Sequence, residues 1–321
     1  MPTPRKSTLT DAGTLIMLDK LPSLTPLLAR AAVNAFPLPG RGDDAFGVAL
    51  PKTGVRVRDV AIDPDHVAAY ADVCGFSLGN DVPVTYPHML GFPLSVMLMT
   101  RPDFPFGLMG LVHIANHITR RRPLALNEQV GVTAGMTNLR PHPKGQQLDN
   151  VVTVTAAGEV VWQSVSTYLA RGAGSRMDDR TIDDREGSRA EPQESGTESV
   201  DVAALPLTSR WRVRGDIGRR YARVSGDRNP IHLSGPTAKA FGFPRAIAHG
   251  MWTKARCLAA LQGELAANCQ VDVAFKLPLF LPSTVEYATK RRPEGWAFGV
   301  RGTDGKPHLA GVVQEGSAPL G

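Results

Sequence analysis

An α+β fold built twice from one unit is what this sequence predicts, each unit a long central helix wrapped by an antiparallel sheet. Three observations predict it. In both halves of the chain, helix signals come first and a run of strand-like segments follows, the order that packs a sheet around a helix. Positions of the first half recur in the second at a fixed offset. Between the halves, GAGSRMDDRTIDDREGSRAEPQESGTESV holds few large apolar groups and cannot bury enough surface to fold alone.

The chain opens with an N-terminal extension, residues 1–45, whose only element is a helix. Thr25 can cap it, Pro26 suits its first position, and Leu27, Leu28, Ala31, Ala32 and Ala35 form an apolar face before Pro37. That face suits packing on the main body. The first unit spans 46–171. Its early helix has Asp63 as cap, Pro64 at the start, Val67, Tyr70, Ala71 and Cys74 on one face, and Gly75 just past the end. Strand composition then covers 111–119, 129–139, 148–156 and 160–170, the last two joined by an Ala157-Gly158-Glu159 turn. A linker expected to be flexible fills 172–203. The second unit, 204–321, offers a short helix at 237–241 and a long one from near Ala248 to about Ala267, with Met251, Ala255, Leu258, Ala259 and Gln262 at helical spacing. Strands come next at 270–277, 284–291, 296–301 and 308–314, separated by turns such as Arg292-Pro293-Glu294-Gly295.

The repeat is read from matched residues. Tyr70 and Tyr221, Gly75 and Gly226, and the triplets Gly91-Phe92-Pro93 and Gly242-Phe243-Pro244 all lie 151 positions apart. Pro123-Leu124-Ala125-Leu126 and Pro278-Leu279-Phe280-Leu281 lie 155 apart. Carried through without gaps, the 151 offset sets Phe76 opposite Asp227, Leu78 opposite Asn229, Asp81 opposite His232 and Leu98 opposite His249. One active site per chain is then expected, with Phe76, Leu78, Tyr86 and Met97 as candidate apolar lining for a tunnel or as ordinary core.

Composition removes several function classes. The 321 residues are 42% hydrophobic and 21% charged, a globular balance. No apolar stretch approaches the roughly 20 residues that span a bilayer, and the run at 14–18 is too short for a signal peptide, so a cytoplasmic protein is expected. Three cysteines, Cys74, Cys257 and Cys269, without CxxC spacing argue against a disulfide framework or a structural zinc site. The net charge of +6 is scattered in short clusters and suits a phosphate-bearing cofactor, an acidic carrier or nucleic acid equally.

The chemistry concentrates in YARVSGDRNPIHLSGPTAKAFGFPRAIAHGMW, residues 221–252. Asp227, Asn229 and His232 set a carboxylate, an amide and an imidazole on one short turn, in which Asn229-Pro230 favours extended geometry. A carboxylate beside a neutral imidazole can hold a water between them, one taking its proton and the other orienting it. His249 and Gly250 fall at the start of the long helix, where backbone N–H groups have no intrahelical partner. A glycine there lets a carbonyl approach closely, and an N–H aimed at a developing oxyanion is worth roughly 3 kcal/mol of barrier. His249 either bonds structurally at the helix start or touches substrate. Asp227, His232 and His249 could also form a two-His, one-carboxylate metal site, but no other residue supports a metal and none is expected. His113 and His117 fall on one face of a predicted strand without a third ligand.

The segment YARVSGDRNPIH, continued by GFP and by Ala248-His249-Gly250-Met251, resembles the MaoC-like (R)-specific enoyl-thioester hydratases and dehydratases. The duplicated layout, with YADVCGFSLGNDVPVTYPHMLGFP and LVHIANHITRRRPL in the first half, is similar to actinobacterial double-hot-dog 3-hydroxyacyl-thioester dehydratases. The resemblance covers about residues 24–316. It implies a double hot-dog fold and reversible addition of water to a trans-2-enoyl thioester, giving the (R)-3-hydroxyacyl thioester. It makes Asp227 and His232 the catalytic pair, with Asn229 in support, Gly250 donating to the thioester oxygen and His249 nearby. It needs no cofactor beyond coenzyme A or acyl carrier protein as substrate carrier. No nucleic-acid partner or membrane span is expected, and a monomeric pseudodimer or a homodimer is. A thioesterase on the same fold, or a non-catalytic acyl-thioester-binding scaffold, are the alternatives.

Overall fold

The computed structural model describes residues 13–34, 49–171 and 200–316. In chain order the elements are β1 (Thr14–Leu18), α1 (Leu24–Asn34), β2 (Thr53–Ala61), α2 (Pro64–Cys74), α3 (Pro87–Met99), β3 (Leu111–Arg120), β4 (Gln129–His142), β5 (Gly145–Ala156) and β6 (Glu159–Arg171). After the linker come β7 (Leu207–Val213), α4 (Ile217–Ser225), α5 (Pro230–Leu233), α6 (Gly235–Ala240), α7 (Gly250–Ala259), β8 (Cys269–Phe275), β9 (Ser283–Arg292), β10 (Gly295–Gly302) and β11 (Pro307–Glu315). The chain folds as an α+β double hot-dog. One sheet runs β1-β2-β4-β5-β6-β3-β8-β11-β10-β9-β7, so that β2-β4-β5-β6-β3 and β7-β9-β10-β11-β8 are mirror sequences meeting at β3 and β8. That junction is antiparallel, with Ile118 opposite Val271 and Asn116 opposite Val273. Among the described residues, only β1 pairs in parallel, on β2.

Local chemistry explains the strongest elements. Asp63 caps α2 by accepting from the Asp65 N–H at 3.0 Å, and Gly75 ends it in the left-handed region at φ 82°. The β5–β6 hairpin turns through Ala157 and Gly158, both at positive φ. Helix α3 is apolar and almost wholly buried, and it lies so close to β5 that a Cβ on Gly91 would fall 2.3 Å from Val152 Cγ1. The two halves share one core. Lys254 of α7, fully buried, donates to Asn116 Oδ1 at 2.6 Å, to the Asn116 carbonyl at 3.1 Å and to the Val271 carbonyl at 3.0 Å, tying the second helix to both junction strands. The exposed Arg220–Asp72 pair between α4 and α2, by contrast, is worth at most about 1 kcal/mol.

The structure corrects the sequence reading at several points. Helix α1 starts at Leu24, ahead of the expected cap Thr25, and buries Ala31; its expected end at Pro37 lies outside the described residues. Helix α7 stops at Ala259, well short of Ala267. Gln262 lies in a separate 3-10 turn, where its amide pairs with both backbone groups of Ser77. Strands β1, β2 and β7 and helices α3, α4 and α5 are additions to the elements expected from pattern alone. The last linker positions, 200–203, are ordered: Val202 is buried, and Arg301 Nη1 donates to the carbonyls of Val202 and Ala203. Positions 172–199 lie outside the described residues. His113 and His117 do not share a face. A β-bulge between His113 and Ala115 turns His113 to the side of Asn116 and Ile118, and His117 pairs with Asp272 at 2.6 Å.

The largest correction concerns the repeat. Gly75 and Gly226 are equivalent, each the left-handed cap of α2 or α4. The next shared feature is a backbone bond, Val82 N–H to Leu124 in the first half and Ala248 N–H to Leu279 in the second, both 2.8 Å. Seven positions separate Gly75 from Val82, whereas twenty-two separate Gly226 from Ala248. The ungapped 151 correspondence therefore fails beyond Gly226. The first half has not replaced Asp227, Asn229 and His232; it lacks the segment that carries them. The two Gly-Phe-Pro triplets are unrelated in place, one inside α3 and the other between α6 and α7. The tunnel wall drawn from that correspondence dissolves with it. Phe76 stacks on Tyr70, Tyr86 is buried against His66, Met97 is half-buried, and Leu78 is 68% exposed.

Candidate active site

The inserted segment leaves α4 at Gly226, φ 72°, and turns at once. The Asp227 N–H donates to Ser225 Oγ at 3.1 Å, and the Asn229 N–H donates to Asp227 Oδ1 at 3.1 Å. Asn229 then caps α5, its Oδ1 accepting from Ile231 at 3.4 Å, with Pro230 at the first helical position. One turn of helix delivers His232. Its Nδ1 lies 2.9 Å from the Ile247 carbonyl, and because a carbonyl can only accept, the proton is on Nδ1 and Nε2 keeps its lone pair. Burial lowers the His232 pKa, against the smaller opposing pull of the Asp227 charge, so the ring is a neutral base at neutral pH.

His249 is buried. Its Nε2 donates to the backbone carbonyl of Asp227 at 3.1 Å and lies 3.8 Å from Oδ2. Burial and the neighbouring His232 ring push its pKa down to about 3. Nε2 of His249 thus holds the Asp227 backbone, the structural contact that the sequence left open beside substrate contact. Its ring stacks on His232 at 3.7 Å and tilts against Tyr221 at 4.9 Å. One donor atom from each of Asp227, His232 and His249 falls within 4.8 Å of the others. That is a spacing a metal could use, and the two carbonyl bonds place one proton on each ring.

Gly250 opens α7, so its N–H has no intrahelical acceptor and points out at the positive end of the helix. A steric reason for glycine stands beside the expected one. A Cβ there would stand 3.0 Å from the Phe275 ring, so the space is taken by an aromatic of β8 rather than left open. That ring belongs to a cluster the sequence did not single out as part of the site: His113 stacks on Tyr168 at 4.7 Å and tilts against Phe275 at 4.9 Å. The Asp227 charge helps raise the Tyr168 phenol pKa, after burial, and partly offsets the burial that brings His88 down to about 4. Tyr168 and His88 of the first half thus stand close enough to feel the carboxylate. No periodicity marks them; only the meeting of β3 with β8 brings them there.

The fold is that of the hot-dog class, and its candidate site holds one carboxylate, one neutral imidazole and one helix N-terminus. The MaoC-like domain family matches residues 196–300. The 3-hydroxyacyl-thioester dehydratase X of Mycobacterium tuberculosis is 38% identical over 294 residues, 91% of this chain and 98% of that one. The chain belongs to the MaoC-like dehydratase family. The crystal structure of the Mycobacterium tuberculosis protein HtdX superposes with a TM-score of 0.69 at 37% identity, covering 82% of this chain and 99% of that one. A MaoC-like dehydratase from Phytophthora capsici shares the fold at 16% identity, with a TM-score of 0.62 over 83% of this chain and 96% of that one. No helix among the described residues is long and apolar enough to cross a membrane.

Proposed function

We propose that the protein catalyses reversible hydration of trans-2-enoyl thioesters to (R)-3-hydroxyacyl thioesters, carried on coenzyme A or acyl carrier protein. The observation that carries this reading is the convergence of the Asp227 carboxylate and a neutral His232 ring beside the free N–H of Gly250. A water held between Asp227 and Nε2 of His232 loses a proton to one of them as its oxygen bonds to C3. The C2–C3 π pair moves onto the carbonyl oxygen, where the Gly250 N–H and the α7 dipole stabilise the enolate. C2 then takes a proton, and the product equals substrate plus one water. The similarity to a 3-hydroxyacyl-thioester dehydratase over nearly the whole chain supports the substrate class. The (R) outcome rests on the family resemblance of the Asp227–His232 segment.

The test is loss of enoyl absorbance with crotonyl-CoA and longer trans-2-enoyl-CoA substrates, with chiral analysis of the product. An (R)-3-hydroxyacyl thioester is expected. Release of free coenzyme A would identify a thioesterase, binding without turnover a scaffold, and an (S) product would overturn the stereochemical assignment.

A further inference from the structure

We infer that His66, on the half of the molecule that lacks the catalytic segment, is a positioning residue for Asp227. Helices α2 and α4 end alike, and each has a carbonyl two residues before its cap glycine that accepts a side-chain N–H from the other half. Trp252 Nε1 donates to the Val73 carbonyl at 2.9 Å, and His66 Nε2 lies 2.8 Å from the Val224 carbonyl. The carbonyl fixes the tautomer: Nε2 carries the proton, and Nδ1 accepts from the Tyr86 hydroxyl at 2.9 Å. The two bonds are matched in form but hold different stretches of chain. Beyond Val73 the backbone runs to the exposed Leu78, whereas beyond Val224 it runs through Ser225 and Gly226 into Asp227.

A second contact from the first half holds the same point. Leu24 of α1 sits against Gly226 so closely that a Cβ there would fall 2.1 Å from Leu24 Cδ1. The exit of α4 is therefore fixed by a hydrogen bond and by packing, both supplied from outside its own unit. Among the described residues, the Asp227 carboxylate otherwise accepts from the Asn229 N–H and lies 3.8 Å from His249 Nε2. A tilt in the last turn of α4 would move it relative to His232, and a displacement of about 1 Å at a reacting group can cost on the order of a hundredfold in rate. A cavity of about 380 Å³ lies against this contact, lined by Leu24, His66, Tyr86, Val224 and Gly226 among others. It leaves room for a small planar molecule to take the place of the imidazole.

The inference rests on the hydratase reading for its kinetic arm alone. In the full-length protein, His66→Ala is expected to lower kcat on a trans-2-enoyl-CoA about tenfold with KM within about twofold, and added imidazole to restore part of kcat. Trp252→Phe, which removes the matching bond at Val73, is expected to lower the melting temperature yet keep kcat within about twofold of the parent. Amide hydrogen exchange across residues 221–232 is expected to quicken in His66→Ala and not in Trp252→Phe. Unchanged kcat in His66→Ala, an equal fall in both variants, or unchanged exchange in that segment would each overturn the inference. The exchange measurement needs no turnover, so it decides the role of His66 even if the parent protein leaves every enoyl thioester intact, the result that would sink the hydratase reading.

Discussion

The rings of His232 and His249 stack at 3.7 Å with their planes 28° apart, and each gives one N–H to a backbone carbonyl beside the Asp227 carboxylate. His249 spends its Nε2–H on the Asp227 carbonyl and is buried, whereas His232 spends Nδ1–H on Ile247 and keeps Nε2 available. Burial first, and then the neighbouring His232 ring, disfavours charge on His249.

Asp227→Asn and His232→Ala should each cost between about a hundredfold and ten-thousandfold in kcat, the span for removing one partner of a general acid/base pair. The double variant should lose little more than the worse single one, because the two groups act on one water. Steady-state kinetics on one enoyl thioester decides this. Fully additive losses would separate the two residues mechanistically.

Gly250→Ala should lose at least about tenfold in kcat, since its new methyl meets the Phe275 ring at 3.0 Å and must displace it or the start of α7. Phe275→Leu in the same chain should recover most of that loss. Failure to recover would mean that the glycine is needed for approach of the substrate carbonyl, the reason its sequence context suggests.

Acid should unfold the protein early. His88 and His249 are buried and His113 is half-buried, all three neutral, with pKa values lowered to about 4 for His88 and about 3 for His249 and His113 by desolvation first of all. The unfolded chain binds those protons near pH 6.5, so their contribution is complete above that pH and is lost as pH falls towards 4 and then 3. Each proton sets a slope of about 1.4 kcal/mol per pH unit. Urea midpoints between pH 7.5 and 4 should flatten by about one proton in His113→Phe. A parallel profile would show that His113 is charged when folded.

At the alkaline end the buried Lys254 should act in the opposite pH range. Burial lowers its pKa to about 7, with the Asp272 charge opposing. Between that value and 10.5 the unfolded chain holds more protons, so stability should rise with pH across the window. Lys254→Met should remove that rise. Equal gains in parent and variant between about pH 7.5 and 9.5 would mean the ammonium stays charged inside, its desolvation offset by Asn116 and Val271.

The sequence by itself determined the class of fold, most strand positions and the identity of the site segment. These depend on alternation, on Gly and Pro at turns, and on acid, amide and imidazole at short spacing, all of which are local. Asp63 and Gly75 could be assigned as the ends of α2 for the same reason. What only the tertiary structure decided is how the halves correspond and what each gives the other. A fixed offset cannot reveal an inserted loop when small motifs such as Gly-Phe-Pro recur by chance, and backbone bonding at Val82 and Ala248 exposes it. Phe275 beside Gly250, Tyr168 within reach of the Asp227 charge, and His66 on Val224 join residues far apart in the chain. Their proximity is set by the antiparallel meeting of β3 with β8 and by the packing of α2 on α4, and no local pattern encodes it.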